Sequence, residues 1–208
     1  MKWFFDMDNP VMRTLSLAAD LIVLNLLTAL CSLPVITAGA ALTALFDQCI
    51  RLVRDEDNSV AKGFFRAFRA NFKTGTLLWL LFLAAGLLLW LDNLAAAAAV
   101  PVMRVGIAAL ALLGLALLFY AFGLLARYEN TVRGTLKNAV ALAVACFPRT
   151  LGMLLFAVGL WLVCVMFFRI GTPILLMFGL SLPVYFSALL LTGVFSRLES
   201  SGSKEDAS

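Results

Sequence analysis

"SLPVITAGAAL", residues 32–42, interrupts the first long apolar run of the chain with a proline, a threonine and a glycine. A segment that only had to cross a bilayer gains nothing from them. Pro34 removes a backbone donor and its ring clashes with the preceding turn, while Thr37 and Gly39 supply places where freed backbone groups can be satisfied or accommodated. The stretch therefore predicts a helix break at Pro34, Thr37 and Gly39. Beyond it, Ala41, Leu42, Leu45, Phe46, Cys49, Ile50 and Val53 fall on one helical face, with Asp47, Arg51 and Arg54 on the other. This is the pattern of an amphipathic helix. Two placements are open for it: along the cytoplasmic interface, or turning back as a re-entrant or sixth short crossing.

The rest of the composition fixes the class. Of 208 residues, 63% are hydrophobic and 13% charged, none is His, and the mean hydropathy is +1.00. Soluble domains carry roughly 45–50% apolar and 25% charged residues, so the chain reads as an integral membrane protein. Lack of His removes the side chain most used for acid-base work at neutral pH and excludes His-type zinc sites. No catalytic residue, cofactor or metal is expected, and nothing resembles a Walker loop, a nucleophile elbow or a nucleic-acid module. Residues 1–15, "MKWFFDMDNPVMRTL", hold two Asp and a Pro where a cleavable signal would have a basic start and a small-residue cleavage site. Cys31, Cys49, Cys146 and Cys164 lack a CxxC spacing and sit in or beside apolar stretches, where Cys behaves as a small hydrophobe.

Five apolar runs are long enough for the ~20 residues a crossing needs: Leu15 to Leu33, Thr74 to Leu91, Val102 to Leu125, Leu151 to Phe168, and Ile174 to Phe195. The predicted fold is an all-α, polytopic membrane helix bundle: about five transmembrane helices, the first broken near Pro34, plus amphipathic cytoplasmic interfacial helices. One transmembrane domain is expected over residues 1–198 and a disordered polar tail over 199–208. Lys and Arg concentrate in the 46–73 and 126–150 connections and in the tail, whereas the connections at 92–101 and 169–173 are short. By the positive-inside rule the basic loops and the C-terminus face the cytoplasm. Five crossings leave the N-terminus outside. A sixth would bring Lys2 and Arg13 inside and improve the charge bias, but the stretch from Arg13 to Arg51 reads as too short for two spans of ~20 residues plus a turn.

"KGFFRAFRANFK", residues 62–73, follows the acidic turn "RDEDNS". On a helix, Phe64, Phe65, Phe68 and Phe72 share one face, and Arg66, Arg69 and Lys73 take the remainder. The composition suits an interfacial helix lying on anionic membrane lipids; the sharper reading is a docking surface for a cytoplasmic partner or a neighbouring membrane subunit. In the second basic segment, Glu129, Arg133 and Lys137 stand four apart and read as a solvated helical stripe. Intramembrane charge, the usual pointer to a transport path, is scarce: Asp20 lies within the first crossing, followed by Asn25. Gly86, Gly114, Gly152 and Gly159 allow close helix packing, within the chain or in a homo-oligomer.

Taken together, "LPVITAGAALTALFDQCIRLVRDED" followed by "GFFRAFRANFKTGTLLWLL" resembles the YesL family of bacterial integral membrane proteins, with Pro34, Thr37 and Gly39 meeting its Pro-x-x-Thr-x-Gly signature. The aromatic-basic segment, Phe64, Phe65, Phe68, Phe72 and Lys73, follows in the family's order. The resemblance implies an accessory role in oligosaccharide uptake beside an ABC transporter, with sugar ABC permease subunits as partners and no catalytic residues. The competing expectation is an independent small-solute transporter or channel whose path runs at the broken first helix.

Overall fold

The computed structural model describes residues 10–56, 59–95, 101–128, 131–166 and 177–205. The described chain is all-helical. Helix α1 runs Pro10–Cys31, a 3-10 turn covers Val35–Thr37, and α2 (Ala38–Val53), α3 (Val60–Ala70), α4 (Phe72–Ala95), α5 (Pro101–Arg127), α6 (Val132–Ala145), α7 (Phe147–Met166) and α8 (Ser181–Glu205) come after it.

The break falls where the sequence places it, and its chemistry is local. Pro34 is extended, with φ −76° and ψ 112°. The Thr37 hydroxyl donates to the Cys31 carbonyl at 2.6 Å, giving a partner to a group at the end of the interrupted helix, and lies 2.8 Å from the Pro34 carbonyl, which the Thr37 N–H also reaches at 2.9 Å. From the neighbouring helix, Trp79 Nε1 donates to the Val35 carbonyl at 2.8 Å. Gly39 does something other than relieve the break. It sits in the first turn of α2, where an added Cβ would overlap the Gly75 carbonyl and the Trp79 side chain. On the other side of the same contact, a Cβ on Gly75 would come within 2.8 Å of the Thr43 hydroxyl. This Gly-to-Gly crossing lets the α2 and α4 backbones meet, as small residues do in membrane bundles.

That contact is one reason α2 takes the inner of the two placements open to it. It packs against α1, α3, α4, α5 and α8 and contributes Ala41, Ala44, Leu45, Phe46 and Cys49, each fully buried, to the core. It is the centre of the bundle and not an interfacial helix. Phe46 reaches α5, meeting the edge of Phe119 with ring centroids 6.1 Å apart.

The candidate spans therefore differ from the five expected. By length and composition α1, α2, α4 and α5 can each cross a membrane, and α6 with α7, bent by 97° at their junction, can make a fifth. Helix α2 enters the set, while the described apolar part of α8, Ser181–Gly193, is shorter than a span; residues 174–176, expected to begin it, lie outside the described residues. Arg13 and Arg51 both lie inside helices, so the stretch between them does not bound the two spans. Arg13 pairs with Asp55, just past the end of α2. The N-terminal end of α1 thus sits beside the α2–α3 connection, and α1 and α2 form an antiparallel hairpin. The described start of α1 therefore lies at the same end of the hairpin as the first basic loop, the arrangement that goes with α2 turning back.

Further polar groups hold the bundle. Asn25, expected only as a neighbour of Asp20, accepts the backbone N–H groups of Leu180 and Ser181 through Oδ1, at 2.9 and 3.1 Å. It supplies from α1 an acceptor for the first amides of α8, which are unsatisfied at any helix start. Thr28, Thr43 and Ser187 donate to carbonyls one turn back. At the α6–α7 bend, the Thr150 hydroxyl lies within hydrogen-bond distance of the Ala143 and Cys146 carbonyls, at 3.0 and 3.2 Å, and of the Tyr120 hydroxyl, at 3.0 Å. Helix α8 continues to Glu205, so residues 199–205 of the polar tail take helical backbone. Extending an existing helix adds one hydrogen bond per residue fixed and needs no new nucleus.

Candidate functional site: the basic elbow of α3 and α4

The elbow begins where α2 stops. Asp55 has φ 57°, the left-handed conformation that Asp tolerates better than most residues. Its N–H donates to the Leu52 carbonyl and that of Glu56 to the Arg51 carbonyl, the paired bonds of a Schellman stop. The acidic residues of this turn are then engaged by the hairpin itself. Asp55 holds Arg13, and Arg51 bonds Asp47 at 3.0 Å and Glu56 at 3.2 Å.

Beyond the turn the balance reverses. Lys62, Arg66, Arg69 and Lys73 are all exposed, and among the described residues none has a carboxylate within ion-pair distance. A run of uncompensated cations therefore lines one side of the molecule.

The aromatic residues divide by role. Phe64 is fully buried in the core, stacked on Phe68 with centroids 6.3 Å apart and meeting the edge of Phe65 at 5.8 Å. Gly63, beside it, lies so close to the buried Gln48 side chain that an added Cβ would overlap it. Phe64 thus pins α3 to α2 and touches neither lipid nor partner. Phe65 and Phe72 remain 45% and 40% exposed and are the rings available to a neighbour. The four rings do not share one helix: α3 ends at Ala70, the Asn71 side chain turns back to donate to the Ala67 carbonyl at 3.2 Å, and Phe72 and Lys73 begin α4. Phe68 bridges the corner by packing on Phe72, centroids 5.6 Å apart.

The structure gathers the aromatic-basic candidates at this elbow and keeps Pro34, Thr37 and Gly39 apart from them, at the α1–α2 break. It also brings in residues of the second basic connection, among them Arg133, which the sequence read as part of a solvated stripe. Arg127 and Tyr128, from the end of α5, and Arg133, on α6, line a groove with Lys73. Their signal was the basic charge of the second connection; the link between it and the first is tertiary.

Residues 21–93 match the family described as "Protein of unknown function, DUF624". The matched stretch contains the helix break, the Gly39–Gly75 crossing and the whole aromatic-basic segment, and it is the stretch that carries the resemblance to the YesL proteins. No curated protein and no solved structure is significantly similar to the chain.

Proposed function

We propose that the protein is a non-catalytic membrane accessory subunit of a bacterial oligosaccharide ABC importer, a member of the YesL family whose basic loops and C-terminus face the cytoplasm. It docks on the transporter through α3 and the start of α4. The observation that carries this reading is the exposed set Arg66, Arg69 and Lys73 beside half-exposed Phe65 and Phe72, on a helix that Phe64 locks to the bundle. An interface core of aromatic and Arg residues on a rigid element is the usual make-up of a binding hot spot.

The competing reading, a solute path at the broken first helix, draws no support from the break. The Cys31 and Val35 carbonyls there are bonded by Thr37 and Trp79, and the space beside Gly39 is filled by α4. Asn25, also in α1, serves as an acceptor for α8.

Mild-detergent purification from cells grown on a complex carbohydrate, with co-purifying proteins identified by mass spectrometry, tests the proposal. ABC permease or ATPase subunits should be recovered near stoichiometry with the wild-type chain, and recovery should fall at least about tenfold for R66Q/R69Q, as loss of hot-spot residues implies. A protein that purifies alone, and that moves a solute when reconstituted, would overturn it.

A further inference from the structure

The groove beside the elbow lies between the start of α4 and the α5–α6 junction. The groove measures about 1040 Å³. Its cations come from three helices: Lys73 of α4, Arg127 of α5 and Arg133 of α6. No described carboxylate lines it; Glu129 lies outside the described residues. Arg127 is steadied against the wall, its guanidinium 5.6 Å from the Tyr128 ring centroid and its Nε bonded to the Tyr128 hydroxyl. Lys73 and Arg133 are exposed.

The groove is not polar throughout, and this decides what it fits. Leu77 and Leu125 line it below the cations. Leu77 is 58% exposed and is followed on the same face of α4 by exposed Leu80 and Leu81, so an apolar track leads from the groove along a helix long and apolar enough to cross a membrane. Cations gathered at the mouth with a leucine track beneath match a molecule with an anionic head and a hydrocarbon tail. A soluble acidic peptide would use the cations and leave the track idle.

We propose that this groove is a binding site for an anionic glycerophospholipid, with its phosphate held by Lys73, Arg127 and Arg133 and an acyl chain laid along Leu77, Leu80 and Leu81. Charge-assisted bonds from Arg and Lys to phosphate are among the stronger polar contacts, and each cation at a membrane surface adds to the hold on anionic lipid. Lys73 is common to this site and the proposed transporter contact, but Arg127 and Arg133 of α5 and α6 belong to the groove alone and Arg66 and Arg69 to the contact alone, so either proposal can fail alone.

The test is native mass spectrometry of the full chain in mild detergent, titrated with dioleoyl phosphatidylglycerol, dioleoyl phosphatidylcholine or sn-glycerol 3-phosphate. Phosphatidylglycerol should bind more tightly than phosphatidylcholine. K73Q/R133Q should weaken phosphatidylglycerol at least about tenfold, by the loss of two surface cations, while K73R/R133K should retain it. Equal affinity for the two lipids, or unchanged binding by K73Q/R133Q, would overturn the proposal. Glycerol phosphate displacing the lipid at matched concentration would overturn it too, by assigning the groove to a soluble phosphate.

Discussion

The two bends of this molecule are made with the same parts and end in different surroundings. At residues 32–37, Pro34 stops α1 and the Thr37 hydroxyl bonds the Cys31 carbonyl. At residues 145–150, Pro148 falls in the first turn of α7, where a missing amide hydrogen costs nothing, and Thr150 serves the Ala143 and Cys146 carbonyls. The first bend leads into α2, walled in by five helices. The second is flanked by α6, with Val140 and Val144 exposed, and by Phe147, itself exposed at the start of α7. Local chemistry sets where a helix turns, and neighbours set how much the turn contributes.

Glycines just past each bend should break the symmetry most sharply. Gly39→Val drives a side chain into the Gly75 carbonyl and Trp79 and should cost about 3 kcal/mol or more, at the upper end of overpacking effects. At Gly152 an added Cβ meets only a Leu190 methyl, at 3.9 Å, so Gly152→Val should change stability by less than about 0.5 kcal/mol, as open sites do. Thermal unfolding in detergent followed by size-exclusion chromatography reads both. Equal losses would mean that α2 and α4 do not cross at Gly39.

The threonines come next in size. Thr150→Val leaves the Tyr120 hydroxyl without its buried partner and should lower stability by about 1–2 kcal/mol. Thr37→Val acts at a partly exposed turn and should cost under about 1 kcal/mol, in line with hydrogen bonds measured in membrane bundles. If Thr37→Val proved the more damaging of the two, the first bend would owe more to its own hydroxyl than to the helices around it.

The smallest effect belongs to the open end of the first hairpin. Arg13 and Asp55 are paired but largely exposed, at 73% and 74% of their side-chain surface, so Arg13→Gln should cost at most about 1 kcal/mol and the loss should shrink with salt. A double-mutant cycle with Asp55→Asn isolates the pair. A coupling well above that, insensitive to salt, would place this pair in a drier setting than its exposure implies.

Much of the fold could be read from residues near one another in sequence. The membrane class came from composition, the break from Pro34 and Thr37, and the spans at α4 and α5 from uninterrupted apolar runs. The aromatic-basic segment was legible too, though not the corner inside it: Asn71 ends α3 by turning its own side chain back on Ala67, which helical periodicity does not register. The groove was the least legible part of the site. Arg127 and Arg133 stand far from Lys73 in the chain, and the pattern around each resembles an ordinary solvated stripe.

The sequence by itself determined the features that depend on short range: where backbone hydrogen bonds are interrupted, which stretches prefer lipid to water, and which connections carry positive charge. Only the tertiary structure decided that α2 is the core and not an interfacial helix, that Gly39 exists to admit Gly75, and that Asn25 supplies an acceptor for a helix 155 residues further on. The physical reason is that an apolar helical face is equally satisfied by lipid or by other helices. Which of them covers it is settled by close approach and shape between segments distant in the chain, and those leave no period in the sequence.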